Sequence, residues 1–232
     1  MSVVTFYYRR MGIVIEREFT TAIYSQSDVA RIIVAPRSTV HDWASGYVSA
    51  SGAFQPSVLT GVTGGRGNTV SFLALSEAYV LNAFRRAGLP LQRIRPAVDK
   101  LREHVGLDYA LASKRLATDG AEVLLESADP GDRRLVVVRN GQAVFREVVE
   151  DYLRFITFGE NGLAARLQLP QFTDTDVTVA PMINGGRPTI VHRGIAIDDV
   201  LGRVRAGEPL NDVAHDFGLK LADVLYLNRA AA

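Results

Sequence analysis

Two stretches of this 232-residue chain carry the same punctuation of two short helices separated by a tight turn. The first runs Ser25-Gln-Ser-Asp-Val-Ala-Arg-Ile-Ile-Val-Ala-Pro-Arg-Ser-Thr-Val-His-Asp-Trp43. The second runs Pro209-Leu-Asn-Asp-Val-Ala-His-Asp-Phe-Gly-Leu-Lys-Leu-Ala-Asp-Val-Leu225. In each, an alanine (Ala30, Ala214) stands ten residues before a valine (Val40, Val224). Two helices that cross steeply need a side chain no larger than Ala at the close approach, and an apolar anchor on the second helix. The spacing therefore predicts a helix-turn-helix near each end of the chain. In the second copy Gly218 follows Ala214 by four residues, where the turn calls for positive φ. DNA binding becomes the first function to test, and the setting of each copy decides which of them does it.

The two settings differ. Residues 1–120 carry 14 Lys and Arg against 9 Asp and Glu, whereas residues 121–232 carry 12 against 16, a division that the overall charge of +1 conceals. A basic first half is the electrostatic footprint of a phosphate-binding module and favours the N-terminal copy as the DNA reader. At 47% hydrophobic and 22% charged residues the chain can build a real core, and its length fits one large domain or two to three small ones. With no Cys, disulfides and thiolate metal sites are excluded and a reducing cytoplasm is compatible. No run approaches the roughly 20 apolar residues that cross a bilayer, and the N-terminus lacks the ordered regions of a signal peptide. A cytoplasmic protein without membrane contact is expected.

Local patterns sketch the rest. Val3, Val4, Phe6, Tyr7, Tyr8, Ile13, Ile15 and Phe19 read as extended, so residues 1–22 form an arm or strand. Ser25 or Ser27 caps the first helix of the N-terminal motif and Pro36 breaks it. The second opens at Arg37 or Ser38, runs to Trp43 and closes at Gly46. Residues 46–70 are rich in Gly, Ser and Thr, with Gly61, Gly64, Gly65 and Gly67 around Arg66, and predict a loop or hairpin. A helix from Ser71 places Phe72, Leu75, Tyr79 and Ala83 on one face and ends at Gly88; the next carries Leu91, Ile94, Val98, Leu101 and Val105. Beyond residue 108 the signals turn mixed. Asn140-Gly141 predicts a hairpin between 135–138 and 143–145, and Asn161-Gly162 another between 156–158 and 163–169. Residues 177–179 and 189–191 read as short strands, and 195–204 as a helix closed by Gly207.

Arg37, Ser38, Thr39 and His41 sit at the start and on the outward face of the N-terminal second helix, where such helices meet base edges and phosphates. Arg37 suits guanine O6/N7 or a phosphate; Ser38 and Thr39 suit phosphate or helix capping. Trp43 reads as a core anchor rather than a stacking platform. The C-terminal second helix, residues 220–229, is different: Leu219, Leu221, Leu225, Tyr226 and Leu227 make much of it apolar, and Asp223 lies in its middle. Such a helix is poor at approaching phosphate and good at packing on protein, so Leu221 and Leu225 are assigned to partner binding or dimerisation. The four histidines (His41, His104, His192, His215) show no metal-ligand pairing, and neither a nucleophile elbow nor paired active-site carboxylates are evident. We therefore expect no enzyme, no metal and no cofactor.

Residues 24–101 resemble the MerR-type winged helix-turn-helix family. The likeness rests on Tyr24-Ser25, Val29-Ala30, Ser38-Thr39-Val40, Trp43 and Gly46, the glycine loop, and Phe72-Leu73 through Phe84-Arg85-Arg86-Ala-Gly88-Leu-Pro-Leu91-Gln-Arg-Ile94-Arg95. The loop is longer than that family's usual wing, and no long dimerisation coiled coil or Cys-based metal site accompanies it. In that setting Arg66 is either a wing-tip arginine entering the minor groove or one charge in a plain loop, and Arg85 and Arg93 flank the DNA backbone. Residues 177–227 are similar to a small bacterial helical domain that recurs in antitoxins of type II toxin–antitoxin operons. That likeness rests on Gly186-Arg-Pro188, Ile190, Arg193, Ile197, Val200-Leu201, Ala206-Gly207-Glu208, Val213-Ala214, Phe217-Gly218-Leu219 and Asp223-Val224.

The combination resembles VapB-type antitoxins. It implies a dimeric DNA-binding autorepressor that binds operator DNA and neutralises a PIN-like ribonuclease toxin, with Arg193, Arg203 and Arg205 as candidates to enter the toxin's acidic site. A MerR-like regulator with a ligand-sensing tail and a protein–protein adaptor that leaves DNA alone remain the alternatives. The expected class is α+β, mainly helical. It comprises an extended arm (1–22), a winged helix-turn-helix (23–106), a mixed middle region with short antiparallel hairpins (107–175) and a C-terminal three-helix, helix-turn-helix-like domain (176–232).

Overall fold

The structure, a computed structural model, describes residues 6–7, 14–65, 67–88, 91–105, 108–116, 151–172 and 174–230. The hairpin expected at 135–145 lies outside them. The chain divides into two compact units, Met1–Ala165 and Arg166–Ala232. Both mix helices with short antiparallel strand pairs, the α+β class that the sequence predicts.

In the first unit, β1 (Phe6–Tyr7) pairs antiparallel with β2 (Val14–Ile15). The extended pattern then fails: Arg17–Thr20 form a helical turn, α1, closed by Thr20 and Thr21 hydroxyls donating to Arg17 O. Its Phe19 meets Phe72 edge to face at 5.9 Å, which sets the turn against the core. Strand β3 (Ala22–Tyr24) leads into α2 (Gln26–Ile32) and α3 (Arg37–Ser45). A hairpin follows, of β4 (Tyr47–Val48) and β5 (Phe54–Gln55), and then β6 (Val70–Ser71), which returns to pair with β3.

Helix α4 (Phe72–Arg86) is the axis of this unit. Every residue from Phe72 to Phe84 is buried, where the sequence pattern predicts a single apolar stripe. A helix apolar nearly all round is stable only when enclosed, and its few polar members must then find partners inside. Ser71 caps it by accepting Ala74 N–H, Ser76 donates to Phe72 O, and Asn82 Nδ2 donates to Ile33 O at 2.8 Å. That last bond ties the core helix to the turn between α2 and α3. Helix α5 (Leu91–Val105) follows, with Ile94, Val98 and Leu101 buried.

Strand β7 (Ile156–Phe158) closes the strands of the first unit. From β8 (Ala164–Gln168), which spans the boundary, the chain pairs β8, β9 (Val177–Val179), β10 (Thr189–Ile190) and β11 (Ile195–Ala196) antiparallel in that order. Ile195 and Ala196, expected to open a helix, instead pair with Ile190 and Thr189, and α6 (Ile197–Arg205) begins after them. Asp198 and Asp199 in its first turn complement the helix dipole. Helices α7 (Leu210–Phe217) and α8 (Leu221–Ala230) complete a three-helix cluster around Val200, Leu201, Val213, Val224 and Leu227.

Candidate nucleic-acid interface

The first helix-turn-helix is built by local chemistry that closes at each end. Ser25 caps α2 in a reciprocal box: its hydroxyl accepts Asp28 N–H, and the Asp28 carboxylate accepts Ser25 N–H. At the other end Ala35 N–H reaches Ala30 O at 2.9 Å and Val34 N–H reaches Arg31 O at 3.4 Å, the two hydrogen bonds of a Schellman turn. Val34 takes φ +52°, a conformation a β-branched residue adopts only under strain. Helix α3 begins behind Pro36, which supplies no side-chain cap, so Ser38 and Thr39 lie inside the first turn rather than capping it. Val40, Trp43 and Ala44 are buried; Arg37, Ser38, His41 and Ser45 are exposed along one face. Thr39 is half-buried beside that face.

This face is tied to the start of α2. Arg37 donates to Ser27 Oγ, His41 Nδ1 lies 2.9 Å from Gln26 Oε1, and Gln26 Nε2 donates to Ser45 Oγ at 3.2 Å. Gln26, Ser27 and Ser45 therefore join Arg37 and His41 in one polar surface. Spacing along the chain does not reveal these three, because only the crossing of α2 on α3 brings residues 15 and 19 positions apart into contact.

The second helix-turn-helix repeats the first at a constant offset of 184 residues: Gln26 onto Leu210, Arg37 onto Leu221. Its turn carries the same two hydrogen bonds, Leu219 N–H to Ala214 O at 2.8 Å and Gly218 N–H to His215 O at 3.0 Å. Gly218, at φ +60°, occupies the position of Val34. The buried anchors correspond, Val224 to Val40 and Leu227 to Trp43. The outward faces do not. Leu221, Ala222 and Leu225 stand where the first copy has Arg37, Ser38 and His41, with Leu221 39% and Leu225 48% exposed.

A hairpin continues from α3. Gly46, at φ +80°, permits it: a Cβ there would lie 2.3 Å from Gln55 O. Val48 faces Phe54 across the ladder, and Ser49 N–H to Ala53 O closes the tip. A hairpin therefore follows α3 at once, at 47–55, within the 46–70 stretch from which a loop or hairpin is expected. Arg95 Nη1 donates to Pro56 O at 2.6 Å while its guanidinium lies 5.5 Å from the Tyr47 ring centroid. The next residues are pinned to α3, with Val58 and Leu59 N–H both donating to Trp43 O. Arg102 donates to Val58 O and Thr60 Oγ1 and pairs with Glu77 at 3.6 Å. Glu77 is fully buried and accepts Thr60 N–H at 2.7 Å. Burial pushes its carboxyl up to about 7, against the lowering effect of Arg102.

The remaining candidate residues are spread out. Arg85 is exposed in the last turn of α4. Arg66 and the side chain of Arg93 lie outside the described residues. In the second unit Arg203 is held by Glu208 and, at 2.8 Å, by Asp216, with Phe217 beneath it. It holds both carboxyls below their ordinary range. Arg203 thus braces α6 against α7, whereas Arg193 and Arg205 are exposed, Arg193 lying over Gly218.

These features define a protein with an N-terminal helix-turn-helix and a second helical module. Residues 22–98 match the family described as "Putative DNA-binding HTH domain", and residues 177–227 match "Protein of unknown function (DUF433)". The chain belongs to the family of the "Putative antitoxin VapB45" of Mycobacterium tuberculosis. The two are 41% identical over 220 residues, 88% of this chain and 92% of that protein. It is also 29% identical to "Uncharacterized protein Rv2308" of the same organism, over 87% of each chain. The crystal structure of Rv2018 from Mycobacterium tuberculosis superposes with a TM-score of 0.72 at 38% identity, covering 89% of this chain and 97% of that one. No described helix is long and apolar enough to cross a membrane.

Proposed function

We propose that this chain is a cytoplasmic, non-enzymatic antitoxin that represses its own operon and neutralises a PIN-like ribonuclease. A homodimer presents two N-terminal helix-turn-helix units to a palindromic operator, with half-sites about 34–36 Å apart or a multiple of it. Arg37 and His41 meet base edges, and Ser38 and Thr39 meet phosphates. Arg85 and, in the same basic region, Arg66 and Arg93 approach the DNA backbone. In the second unit Leu221 and Leu225 bind the protein partner, and Arg193 or Arg205 reaches its acidic site. Arg203 is a weaker candidate, since leaving would break its ion pairs with Glu208 and Asp216.

The observation that carries the reading is one scaffold built twice with different faces: Arg37, Ser38, His41 and Ser45 in the first copy, and Leu221, Ala222 and Leu225 with Arg229 at the far end in the second. Polar faces with arginine suit phosphate and base edges, which an exposed leucine pair cannot serve. The test is co-purification with the product of the adjacent gene, followed by an operator gel shift with and without that partner. A ribonuclease in the complex and a retarded operator support the reading. Operator affinity unchanged in Arg37→Ala removes the assigned DNA face.

A further inference from the structure

The hairpin after the recognition helix departs from a phosphate-contacting wing in its chemistry. From Trp43 to Gly65 the sequence contains no Lys, Arg, Asp or Glu. Its exposed large side chains are instead an apolar pair, Val48 at 68% and Phe54 at 64%, directly opposite each other across the ladder and therefore on one face. The tip between them is Ser49-Ala-Ser-Gly-Ala53, small and neutral.

The pair sits on a braced support. Arg95 grips Pro56 O and covers Tyr47, Gly46 permits the close turn out of α3, and three donors (Ser57 Oγ, Val58 N, Leu59 N) converge on Trp43 O. Exposed apolar side chains on a rigid ribbon are costly to keep in water unless something covers them. The size of the patch selects the occupant. Two side chains at a narrow tip fall far short of the roughly 800 Å² per partner of a stable protein interface. They match the small apolar wedges that proteins insert between base steps from the minor groove.

We propose that Val48 and Phe54 form an apolar wedge that enters the DNA minor groove beside the major-groove contact of α3. The proposal rests on the DNA-binding reading of the first helix-turn-helix and adds a contribution that releases no counterions. The arginines and the wedge then respond differently to salt. Removing an arginine that neutralises one phosphate lowers the log–log salt slope by about 0.9, whereas removing the wedge lowers affinity and leaves the slope alone.

The experiment measures binding of the full-length protein to a duplex carrying the promoter region upstream of its own gene, across a salt series. The proteins compared are wild type, Phe54→Ala, Phe54→Leu and Arg37→Ala. Light scattering follows their association state, and 2-aminopurine placed through the duplex reports unstacking. Phe54→Ala should lose roughly ten- to hundredfold in affinity, the range for one aromatic–base stack, at unchanged slope and with the unstacking signal gone. Phe54→Leu should retain most of both. Unaltered affinity in Phe54→Ala while Arg37→Ala weakens binding overturns the wedge alone. So does a loss that changes the slope, or one accompanied by dissociation of the protein, which would assign the pair to a protein interface. A wild-type protein that binds no duplex takes down the wedge and the DNA-binding reading together.

Discussion

The two helix-turn-helix units share their helix starts, the two hydrogen bonds of their turns and the sites of their buried anchors, at one offset throughout. They differ in what the second helix shows to the outside and in how the turn is made. The first copy exposes Arg37, Ser38 and His41 and holds a valine at positive φ; the second exposes Leu221, Ala222 and Leu225 and holds a glycine there. The scaffold is thus indifferent to function. Alanine at the crossing, valine in the seat and a Schellman turn are required of any such pair, whereas the outward face is free to vary because it contributes little to the fold.

The largest effects should come from the shared parts. Trp43→Ala should cost about 3–5 kcal/mol and Leu227→Ala about 2–5 kcal/mol, since both anchors are buried and leave cavities. Denaturant titration of each variant measures this. A negligible loss at either would mean that the two anchors are not equivalent. Next comes the contrast between faces: Arg37→Ala should weaken operator binding by roughly 1–3 kcal/mol. Leu225→Ser, the change at the position of His41, should leave operator affinity unaltered and weaken association with a protein partner. Equal losses of DNA affinity in both variants would abolish the division of labour.

The turns provide a reciprocal exchange. Val34→Gly should stabilise the first copy by roughly 0.5–1 kcal/mol, the relief of left-handed strain less the added freedom of the unfolded chain. Gly218→Val should destabilise the second by roughly 1–2 kcal/mol. If thermal unfolding shows the same sign for both, the positive φ at Val34 is not the constraint we assign to it.

The last comparison is a slope with pH. The Glu77 carboxyl is raised from 4.5 to about 7 in the folded protein, so the folded state holds its proton more tightly than the unfolded chain does. Its contribution to stability is full below about pH 4.5 and declines as pH rises through 7, and Glu77→Gln should flatten that interval. The second unit runs the other way: Glu208 and Asp216 are lowered by Arg203, so their contribution is present at neutral pH and lost as pH falls. Parallel acid titrations of wild type and Glu77→Gln read the difference.

Much of this was legible in the chain. Ala30 to Val40 and Ala214 to Val224 announce both motifs, Ser25, Gly46 and Gly218 mark their ends, and the apolar spacing from Phe72 to Val105 marks the two long helices. Other features were not. Val34 carries no local sign of left-handed backbone, because the residue is held against its own preference by the turn on either side. The hairpin at 47–55 lacks the Asn-Gly or Asp-Gly that announces a tight turn, so the sequence predicts only a loop or hairpin within 46–70 without its register. Nothing in the local pattern singles out Glu77, which Thr60 and Arg102 close over.

By itself the sequence determined where the helices of both helix-turn-helix motifs begin and end and that each pair packs closely, because caps, glycines and small-residue spacing act over a few neighbouring residues. Only the tertiary structure decided which side chains share a surface. The meeting of Gln26 with His41, the exposed pair of Val48 and Phe54, and the commitment of Arg203 to two carboxylates of its own unit all depend on segments brought together by packing, which spacing along the chain does not specify.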